Sequence, residues 1–306
     1  MKKVIVTGCG GFIGKKLSEC LLKKGIYVVG IDVSDKNIKD IDDVNFKFVR
    51  ANFSEYYKLV EIVNEKNFDV FYHIAWQGVY GEIFKDYVMQ LDNAKYAGIA
   101  IEQAIELNCK KFVLAGSMNQ YEAEDYQNKN DIQPRFTCVY ASAKTAAEMI
   151  CKTIAYNKGI EFNAGLISMV YGENNYSMMI PNIVMKSLLM KEEPKLIEGN
   201  DLYDLIYVQD VVNAFYHIGK SGLNLKRYYI GHRVEDLYTF KDWMLKIQNV
   251  INPAVKMSFG EYKISTYFDY NKIDTHSLYE DTNFTIENNF NDTIVKTSNW
   301  IKENLI

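Results

Sequence analysis

The chain has 306 residues, of which 48% are hydrophobic, with 35 basic and 39 acidic side chains. This composition is typical of a soluble globular protein with one or two domains and a sizeable core. The nearly balanced charge predicts neither nucleic-acid binding nor electrostatic attachment to a membrane.

Cysteines and histidines are scattered along the chain. The five cysteines and four histidines have no spacing typical of zinc sites, so neither a metal site nor a disulfide framework is predicted. The N-terminus lacks a signal-peptide core, and no apolar run approaches the roughly 20 residues that cross a bilayer. We therefore expect a cytoplasmic protein without a membrane span.

Short β-branched runs alternate with longer amphipathic runs over the first 170 residues. This alternation predicts βαβ units and a parallel sheet whose strands are buried on both faces. Long helices are predicted near residues 86–107 and 139–158. The predicted strands are Val4–Thr7, Tyr27–Asp32, Asn45–Val49, Val70–Ala75, Phe112–Gly116 and Asn163–Ser168.

Beyond Gly172 the regular alternation ends. The remaining elements predicted there are a helix from Pro181 to about Lys191, a strand at Leu205–Val208, and helices near Phe240–Val250 and Asp292–Asn304. This mixture predicts a smaller α+β lobe after the parallel sheet.

A glycine-rich loop follows the first predicted strand and precedes the first helix. The glycines Gly8, Gly11 and Gly14 have the spacing GxxGxxG, since Ile13 occupies the last position of the commoner GxGxxG pattern. A sharp turn into a helix directs backbone N–H groups and the positive end of the helix at one point, which suits a pyrophosphate. The position of the loop between a strand and a helix therefore predicts dinucleotide binding.

Asp32 closes the second predicted strand, at the interval expected for the acid that binds a ribose 2′-hydroxyl. Its carboxylate would repel a 2′-phosphate, and Asp35 adds to that repulsion with only Lys36 nearby to oppose it. NAD is therefore favoured over NADP.

The predicted fold class is α/β, a Rossmann-like doubly wound parallel sheet with a smaller C-terminal α+β substrate lobe. We assign residues 1–172 and 204–232 to the NAD-binding domain and residues 173–203 and 233–306 to the substrate-binding lobe.

Tyr140 and Lys144 share one face of a predicted helix. A neighbouring ammonium stabilises a phenolate, so this pair could take up and return the proton of a hydroxyl group. Ser117 ends the predicted strand at Phe112–Gly116, at the sheet edge where open α/β folds bind ligands. Its hydroxyl could hydrogen-bond the same substrate oxygen.

With these residues the sequence resembles the extended short-chain dehydrogenase/reductase family, in its NAD-dependent sugar-nucleotide epimerase/dehydratase branch. The resemblance spans essentially the whole chain. The segments that carry it are Thr7–Gly14, His73–Ala75, Asn93, Ser117 with Tyr121, Tyr140–Lys144, Val170–Gly172, Tyr207–Val211 and Tyr229–Gly231.

The resemblance implies roles for individual residues. Tyr140 would be the general acid/base, Lys144 its electrostatic partner and a ribose ligand, and Ser117 the residue that orients the substrate hydroxyl. Asn93 would complete the catalytic architecture, and Asn52 stands where the family usually has an Asp that meets the adenine. The cofactor-binding residues expected from the loop and the resemblance together are Gly8, Gly11, Phe12, Ile13, Gly14, Asp32, Asn52, Ala75 and Lys144.

The residues after Ser117 discriminate between reactions. Family members that are 4,6-dehydratases have Asp and Glu there, whereas this chain has Met118 and Asn119, so a dehydratase is not expected. Reductases of the family more often use NADPH, which Asp32 disfavours. We therefore predict an NAD-dependent sugar-nucleotide epimerase that transfers a hydride at a hydroxyl-bearing carbon, C4 by analogy. The alternatives are a nucleotide-linked 4-keto-sugar reductase or 4-dehydrogenase, and a non-catalytic dinucleotide-binding regulator.

Contacts to the nucleotide sugar are less well marked. Met169 replaces an Asn that often touches the substrate diphosphate, and Arg227 and Arg233 are the remaining candidates for phosphate contact. Gln77 and Tyr80 are expected to line the sugar pocket beside Ser117 and Tyr140. By analogy with relatives that pair the two long helices, we also expect a homodimer.

Overall fold

The computed structural model describes residues 1–128, 135–263 and 268–306, in which strands and helices alternate. The strands are β1 (Lys3–Thr7), β2 (Tyr27–Asp32), β3 (Phe46–Arg50), β4 (Val70–His73), β5 (Lys111–Ser117), β6 (Glu161–Ile167), β7 (Met169–Tyr171), β8 (Lys195–Ile197), β9 (Leu202–Tyr203), β10 (Leu205–Tyr207), β11 (Lys226–Ile230), β12 (Tyr238–Thr239) and β13 (Ser258–Tyr262). The helices are α1 (Phe12–Lys23), α2 (Leu59–Val63), α3 (Tyr87–Glu106), α4 (Asn119–Asn128), α5 (Thr137–Lys158), α6 (Ile180–Leu189), α7 (Val208–Ser221), α8 (Phe240–Ile251), α9 (Ser277–Thr282) and α10 (Phe290–Asn304).

A seven-stranded parallel sheet has the order β11-β6-β5-β4-β1-β2-β3. The order reverses between β1 and β4, and ligands of such sheets bind at the carboxyl ends of the strands near this reversal. The prediction of a Rossmann-like α/β fold is confirmed. All six strands predicted before Gly172 are present, and their ends differ from the prediction by at most two residues.

The strand predicted at Leu205–Val208 lies outside this sheet. It is β10, which pairs with β7 in a separate two-stranded sheet. The seventh strand of the large sheet is instead β11, whose register places Ile230 beside Ile167 at the end of β6. A short apolar run predicts a strand but not its partner, because pairing depends on the rest of the fold.

Helices α3 and α5 pack against each other on the large sheet. Small residues allow the close approach: a Cβ on Gly98 of α3 would lie 3.1 Å from the side chain of Ile150 on α5. Their buried faces are rich in alanine, including Ala97 and Ala147, which are fully buried. This packing places the amino-terminal half of α5 beside the end of β5.

The described chain divides into two compact units. The first comprises Met1–Ile167, Val212–Ile230 and Ser277–Phe284, and the second comprises Ser168–Val211, Gly231–His276 and Thr285–Ile306. This division differs from the expected one in where β7, β10 and α9 belong. β7 and β10 pair with each other and belong to the second unit, whereas α9 packs against β11 in the first. The assignment of one part to the cofactor and the other to the substrate stays a prediction.

The second unit combines short strands with helices. Its helices α6, α8 and α10 pack against one another, and β8 pairs with β13 while β9 pairs with β12. The predicted helices near 240–250 and 292–304 are confirmed as α8 and α10. Within the described ranges, none of the helices combines the length and the apolar character needed to cross a membrane.

Candidate active site

The loop between β1 and α1 forms a cradle of backbone. Gly8 adopts a φ of +71°, and a Cβ there would lie 2.9 Å from the backbone of Ala75. A Cβ on Gly14 would lie 2.0 Å from the carbonyl oxygen of Gly8. Side chains at these positions would clash with the backbone of Ala75 and of the loop itself, which is why glycine is required here.

Helix α1 begins directly after this loop. The N–H of Gly11 donates to the carbonyl oxygen of Gly8 at 3.0 Å, and Phe12 and Ile13 form the first turn of α1. The first N–H groups of a helix have no partner within it, and they lie at its positive end. Cys9 is fully buried, and burial, with a smaller effect of Asp32, raises the pKa of its thiol. Cys9 is thus a packing residue, and the backbone around it suits a pyrophosphate.

Asp32 lies beside this cradle at the end of β2. Its Oδ2 accepts a hydrogen bond from the N–H of Gly10 at 2.9 Å, and its Oδ1 accepts one from the N–H of Val33 at 2.7 Å. Oδ1 also accepts a hydrogen bond from the N–H of Ser34 at 3.4 Å. Each carboxylate oxygen can accept two hydrogen bonds, so Oδ2 retains the capacity to accept one from a ribose hydroxyl. Asp32 therefore has the position and chemistry of a ribose ligand.

Asp35 has a partner that the sequence did not reveal. Arg50 forms an ion pair with Asp35 at 3.1 Å. Arg50 ends β3, and the register of the sheet places it beside Asp32. Along the sequence, by contrast, Lys36 is the only basic residue near Asp35 that was expected to oppose its charge. Since Arg50 offsets the charge of Asp35, selection against a 2′-phosphate depends mainly on Asp32.

Asn52 follows β3 and caps a short 3₁₀ helix at Phe53–Lys58. Its Oδ1 accepts a hydrogen bond from the Ser54 hydroxyl at 2.5 Å, and its N–H donates to Glu55 at 2.9 Å. These contacts account for Asn52 as a helix cap. Its contact with an adenine stays a prediction.

Two carboxamides from α3 hold the segment that follows β4. The buried Asn93 accepts a hydrogen bond from the N–H of Gln77 at 2.8 Å and donates to the carbonyl oxygen of Gln77 at 2.9 Å. Gln90 accepts from the indole N–H of Trp76 at 2.8 Å and donates to the carbonyl oxygen of Gly78 at 2.7 Å. Asn93 therefore acts on the shape of this segment, through its backbone.

Tyr140 and Lys144 lie one turn apart on α5, with exposed fractions of only 8% and 4%. Lys144 Nζ donates to the carbonyl oxygen of Ala115 on β5 at 2.7 Å and lies 3.7 Å from the centroid of the Trp76 ring. Burial lowers the pKa of Lys144 to about 7, because a charged amine is poorly solvated there.

Ser117, the last residue of β5, lies beside the phenol of Tyr140. Burial raises the pKa of Tyr140 to about 12, and the nearby Ser117 side chain opposes this rise. We expected Lys144 to lower the pKa of Tyr140 below its ordinary value. That expectation is corrected, since desolvation of the phenol dominates and Lys144 Nζ lies 5.8 Å from the phenol ring centroid.

Two aromatic rings that the sequence did not reveal enclose Tyr140. The ring of Phe84 stacks on it with a centroid distance of 4.5 Å, and that of Trp76 meets it edge-on at 6.0 Å. Neither has a characteristic sequence spacing from Tyr140, so no motif could have indicated them. Gln77 and Tyr80 are exposed on the same segment, and their contact with a sugar stays a prediction.

His73, at the end of β4, is buried against β1. Its Nδ1 lies 3.0 Å from the hydroxyl of Thr7. Burial, with a smaller effect of Lys144, lowers the pKa of His73 to about 3. The imidazole is therefore neutral at pH 7, and its burial against β1 makes it a packing residue.

Arg227 has partners other than the expected substrate phosphate. It lies near the beginning of β11, beside Ala164, away from the carboxyl ends of the strands. Its guanidinium donates to both oxygens of Glu148, at 2.9 and 2.8 Å, and to Glu124 at 2.5 Å. Since Arg227 lies away from the carboxyl ends of the strands and three of its five N–H groups donate to carboxylates, the expectation that Arg227 binds a diphosphate is corrected. Arg233 lies in the second unit before a 3₁₀ turn, and its phosphate contact stays a prediction.

The glycine cradle with Asp32, next to the cluster of Ser117, Tyr140 and Lys144, defines a dinucleotide-binding Rossmann domain with a site for proton transfer. Residues 4–231 match the model of the NAD dependent epimerase/dehydratase family. The chain belongs to this family, which confirms the resemblance seen in the sequence. The residues also fit NAD, because the cradle admits no Cβ and Asp32 is positioned for the ribose hydroxyls.

Curated relatives are similar over nearly the whole chain. A UDP-glucuronate 4-epimerase of Thermodesulfobacterium geofontis is 24% identical over 330 residues, covering 98% of this chain and 96% of the relative. A dTDP-D-glucose 4,6-dehydratase of Bos taurus is 25% identical over 286 residues, covering 88% of this chain and 77% of the relative. Sequence identity alone thus does not separate the two reactions.

Solved structures share the fold. A UDP-N-acetylglucosamine 4-epimerase from Methanobrevibacter ruminantium has a TM-score of 0.80 at 19% identity, covering 99% of this chain and 98% of its own. A UDP-glucuronic acid 4-epimerase from Bacillus cereus, in complex with NAD, has a TM-score of 0.78 at 20% identity, covering 98% and 99%.

Proposed function

We propose that this protein is an NAD-dependent sugar-nucleotide epimerase that acts at a hydroxyl-bearing sugar carbon, C4 by analogy with the relatives. The observation that carries the proposal is the contact between Ser117 and Tyr140, with Lys144 one turn further along α5, beside a cradle suited to NAD. Relatives named as 4-epimerases of UDP-sugars support the substrate class.

The proton transfer falls to the chain's own side chains. When bound, NAD supplies the hydride acceptor and donor. Tyr140 is a neutral phenol in the protein without NAD, because burial raises its pKa to about 12. As a phenolate it would take the proton of the sugar hydroxyl during oxidation and return it during reduction, while the Ser117 hydroxyl orients the reacting oxygen. The Lys144 ammonium would donate to the ribose hydroxyls of bound NAD and would favour the phenolate once that charge is present.

The residues after Ser117 argue against water elimination. Met118 is buried and apolar, and the N–H of Asn119 donates to the Ser117 hydroxyl at 3.3 Å. Neither side chain can exchange a proton near neutral pH. The acid/base pair that the dehydratases of the family use is therefore missing at these positions.

The first experiment is to identify small molecules released on denaturing the purified protein and then to incubate the protein with UDP-, GDP-, CDP- and dTDP-sugars. Retained NAD and a new sugar isomer, without net absorbance change at 340 nm, are expected. A net change at 340 nm with one sugar or keto-sugar would instead identify a dehydrogenase or reductase. Binding of NAD without any turnover would favour a regulator.

We also propose a homodimer formed through α3 and α5. Both helices expose large apolar side chains, among them Leu91, Met149 and Tyr156. Sedimentation should show a dimer, and Met149→Lys should shift it to the monomer. Lys152→Glu, which reverses the charge of an exposed residue on the same helix, should leave the dimer intact. The cytoplasmic location and the contact of Arg233 with the substrate diphosphate stay predictions from the sequence.

A further inference from the structure

A chain of hydrogen bonds leads from the backbone of Ser117 into the protein. The N–H of Ser117 donates to Oε1 of Gln120 at 2.9 Å. Nε2 of Gln120 donates to Oε2 of Glu148 at 2.8 Å. Arg227 then donates from Nε and Nη2 to the two oxygens of Glu148, at 2.9 and 2.8 Å. The chain connects β5, α4, α5 and β11.

The carboxylate of Glu148 determines which way Gln120 faces. Gln120 is 0% exposed and Glu148 is 5% exposed. A carboxylate only accepts hydrogen bonds, so the amide NH₂ of Gln120 must face Glu148. Its carbonyl oxygen is then left to accept from Ser117. An apolar or basic residue at position 148 would remove the reason for this orientation.

The end of β5 leaves little freedom for another arrangement. A Cβ on Gly116 would lie 2.7 Å from Oε1 of Gln120, so the carboxamide packs directly on the strand. The N–H of Met118 is already bonded to the carbonyl oxygen of Ile167 at 2.9 Å. The turn that carries Ser117 is thus held from both sides by buried hydrogen bonds.

Helix α5 is connected to Ser117 in two ways, one direct and one through Gln120. Tyr140 and Glu148 lie two turns apart on α5, with Lys144 between them, so the three side chains share one helix face. Tyr140 meets the hydroxyl of Ser117, whereas Glu148 reaches its backbone through Gln120. A change at Glu148 can therefore alter the distance between the two reacting hydroxyl groups without touching either.

We propose that Glu148 is a positioning residue, which through Gln120 holds the backbone of Ser117 and so places its hydroxyl against Tyr140. Arg227 holds Glu148 by two parallel hydrogen bonds. The inference deepens the proposed function and rests on it for the kinetic consequence. The structural consequence, protection of the Ser117 amide, can be measured without turnover.

The test uses Gln120→Met in the full-length protein, because this change removes both hydrogen bonds without burying a new charge. Hydrogen–deuterium exchange at the Ser117 amide should become at least about 10-fold faster, since its buried acceptor is lost. With the sugar nucleotide that the wild type converts, kcat should fall on the order of 10- to 100-fold, while KM and NAD retention stay within about twofold. A merely structural role would lower the melting temperature without this separation of kcat from KM.

Two further variants keep the test decisive. Glu124→Gln is the matched control, because Glu124 also pairs with Arg227 but lies outside the hydrogen-bond chain from Ser117 to Glu148. This variant should leave hydrogen exchange at the Ser117 amide and kcat unchanged. Glu148→Gln retains an acceptor for Gln120 and should lie between the control and Gln120→Met. If Gln120→Met does not fold, Glu148→Gln replaces it in the test.

The outcomes separate this inference from the proposed function. Faster exchange in Gln120→Met with unchanged kcat, or reduced kcat with an unchanged Ser117 amide, would overturn the positioning role. If the wild type converts no sugar nucleotide, the proposed function fails, and the exchange measurement alone decides whether Glu148 and Gln120 hold Ser117. Equal exchange in Gln120→Met and Glu124→Gln would then overturn that as well.

Discussion

The phosphate loop and the surroundings of Tyr140 are built in different ways within the first unit. The loop is a property of one strand, one turn and one helix, and its decisive contacts are between backbone atoms of Gly8 and Gly14. Tyr140 instead meets side chains from three separate segments, including Ser117 and Phe84. A local backbone device can be recognised from spacing, whereas a cluster of buried side chains depends on how distant segments meet.

The largest effect expected at the side-chain cluster is that of Tyr140→Phe. Loss of the acid/base should lower kcat by about a thousandfold, with the fold and NAD retention preserved. Tyr156→Phe, an exposed tyrosine on the same helix, is the control. Chromatography of the sugar nucleotide measures both, and equal activity of the two variants would contradict the assignment of Tyr140.

At the backbone cradle, Gly14→Ala should weaken NAD binding by about 10- to 100-fold, since overpacking costs about 1–3 kcal/mol. The added Cβ would meet a carbonyl oxygen that cannot move independently. Gly98→Ala is matched to it, because there the Cβ meets only a side-chain methyl group, Cγ2 of Ile150, at 3.1 Å. Calorimetry with NAD checks the prediction, which fails if both variants bind equally well.

A smaller effect is expected for Asp32→Asn, which keeps the shape of the side chain but removes the charge. Hydrogen bonds to a charged group contribute about 1.5–3 kcal/mol, so NAD should bind about 10-fold more weakly, with NADP nearly unaffected. Asp35→Asn should change the ratio of NAD affinity to NADP affinity less than Asp32→Asn does, because Arg50 already pairs with Asp35. A larger effect at Asp35 would show that the ion pair does not neutralise it.

The smallest effect concerns stability and pH. Burial lowers the pKa of Lys144 from 10.5 to about 7, so the unfolded chain binds more protons than the folded one between these values. Stability should therefore rise with pH over this window and be lowest below about pH 7. Lys144→Met removes the buried charge. In NAD-free protein its melting temperature should exceed that of the wild type by a few degrees near pH 7, and by less near pH 9.

Calorimetric melting at the two pH values checks this last prediction. Lys152→Met, an exposed lysine on the same helix, should change the melting temperature equally at both. A difference between wild type and Lys144→Met that does not depend on pH would show that Lys144 does not titrate in this range.

Much of the candidate site could be predicted from sequence, but its surroundings could not. Gly8, Asp32, Ser117 and Tyr140 follow from strand ends and helix spacing. The predicted phosphate contact of Arg227 was wrong. The sequence does not reveal that β11 lies beside β6, where Arg227 meets the carboxylates of α4 and α5.

The sequence by itself determined the alternation of strands and helices over the first 170 residues, the dinucleotide loop and the residues with the chemistry to transfer a proton, because these depend on local spacing and side-chain chemistry. The tertiary structure decided that Phe84 covers Tyr140, that Arg50 neutralises Asp35, and that Glu148 reaches Ser117 through Gln120. Each of these contacts joins segments distant in sequence. Their distances, and the desolvation that shifts the pKa of Tyr140 and Lys144, arise only when the sheet and its helices pack together.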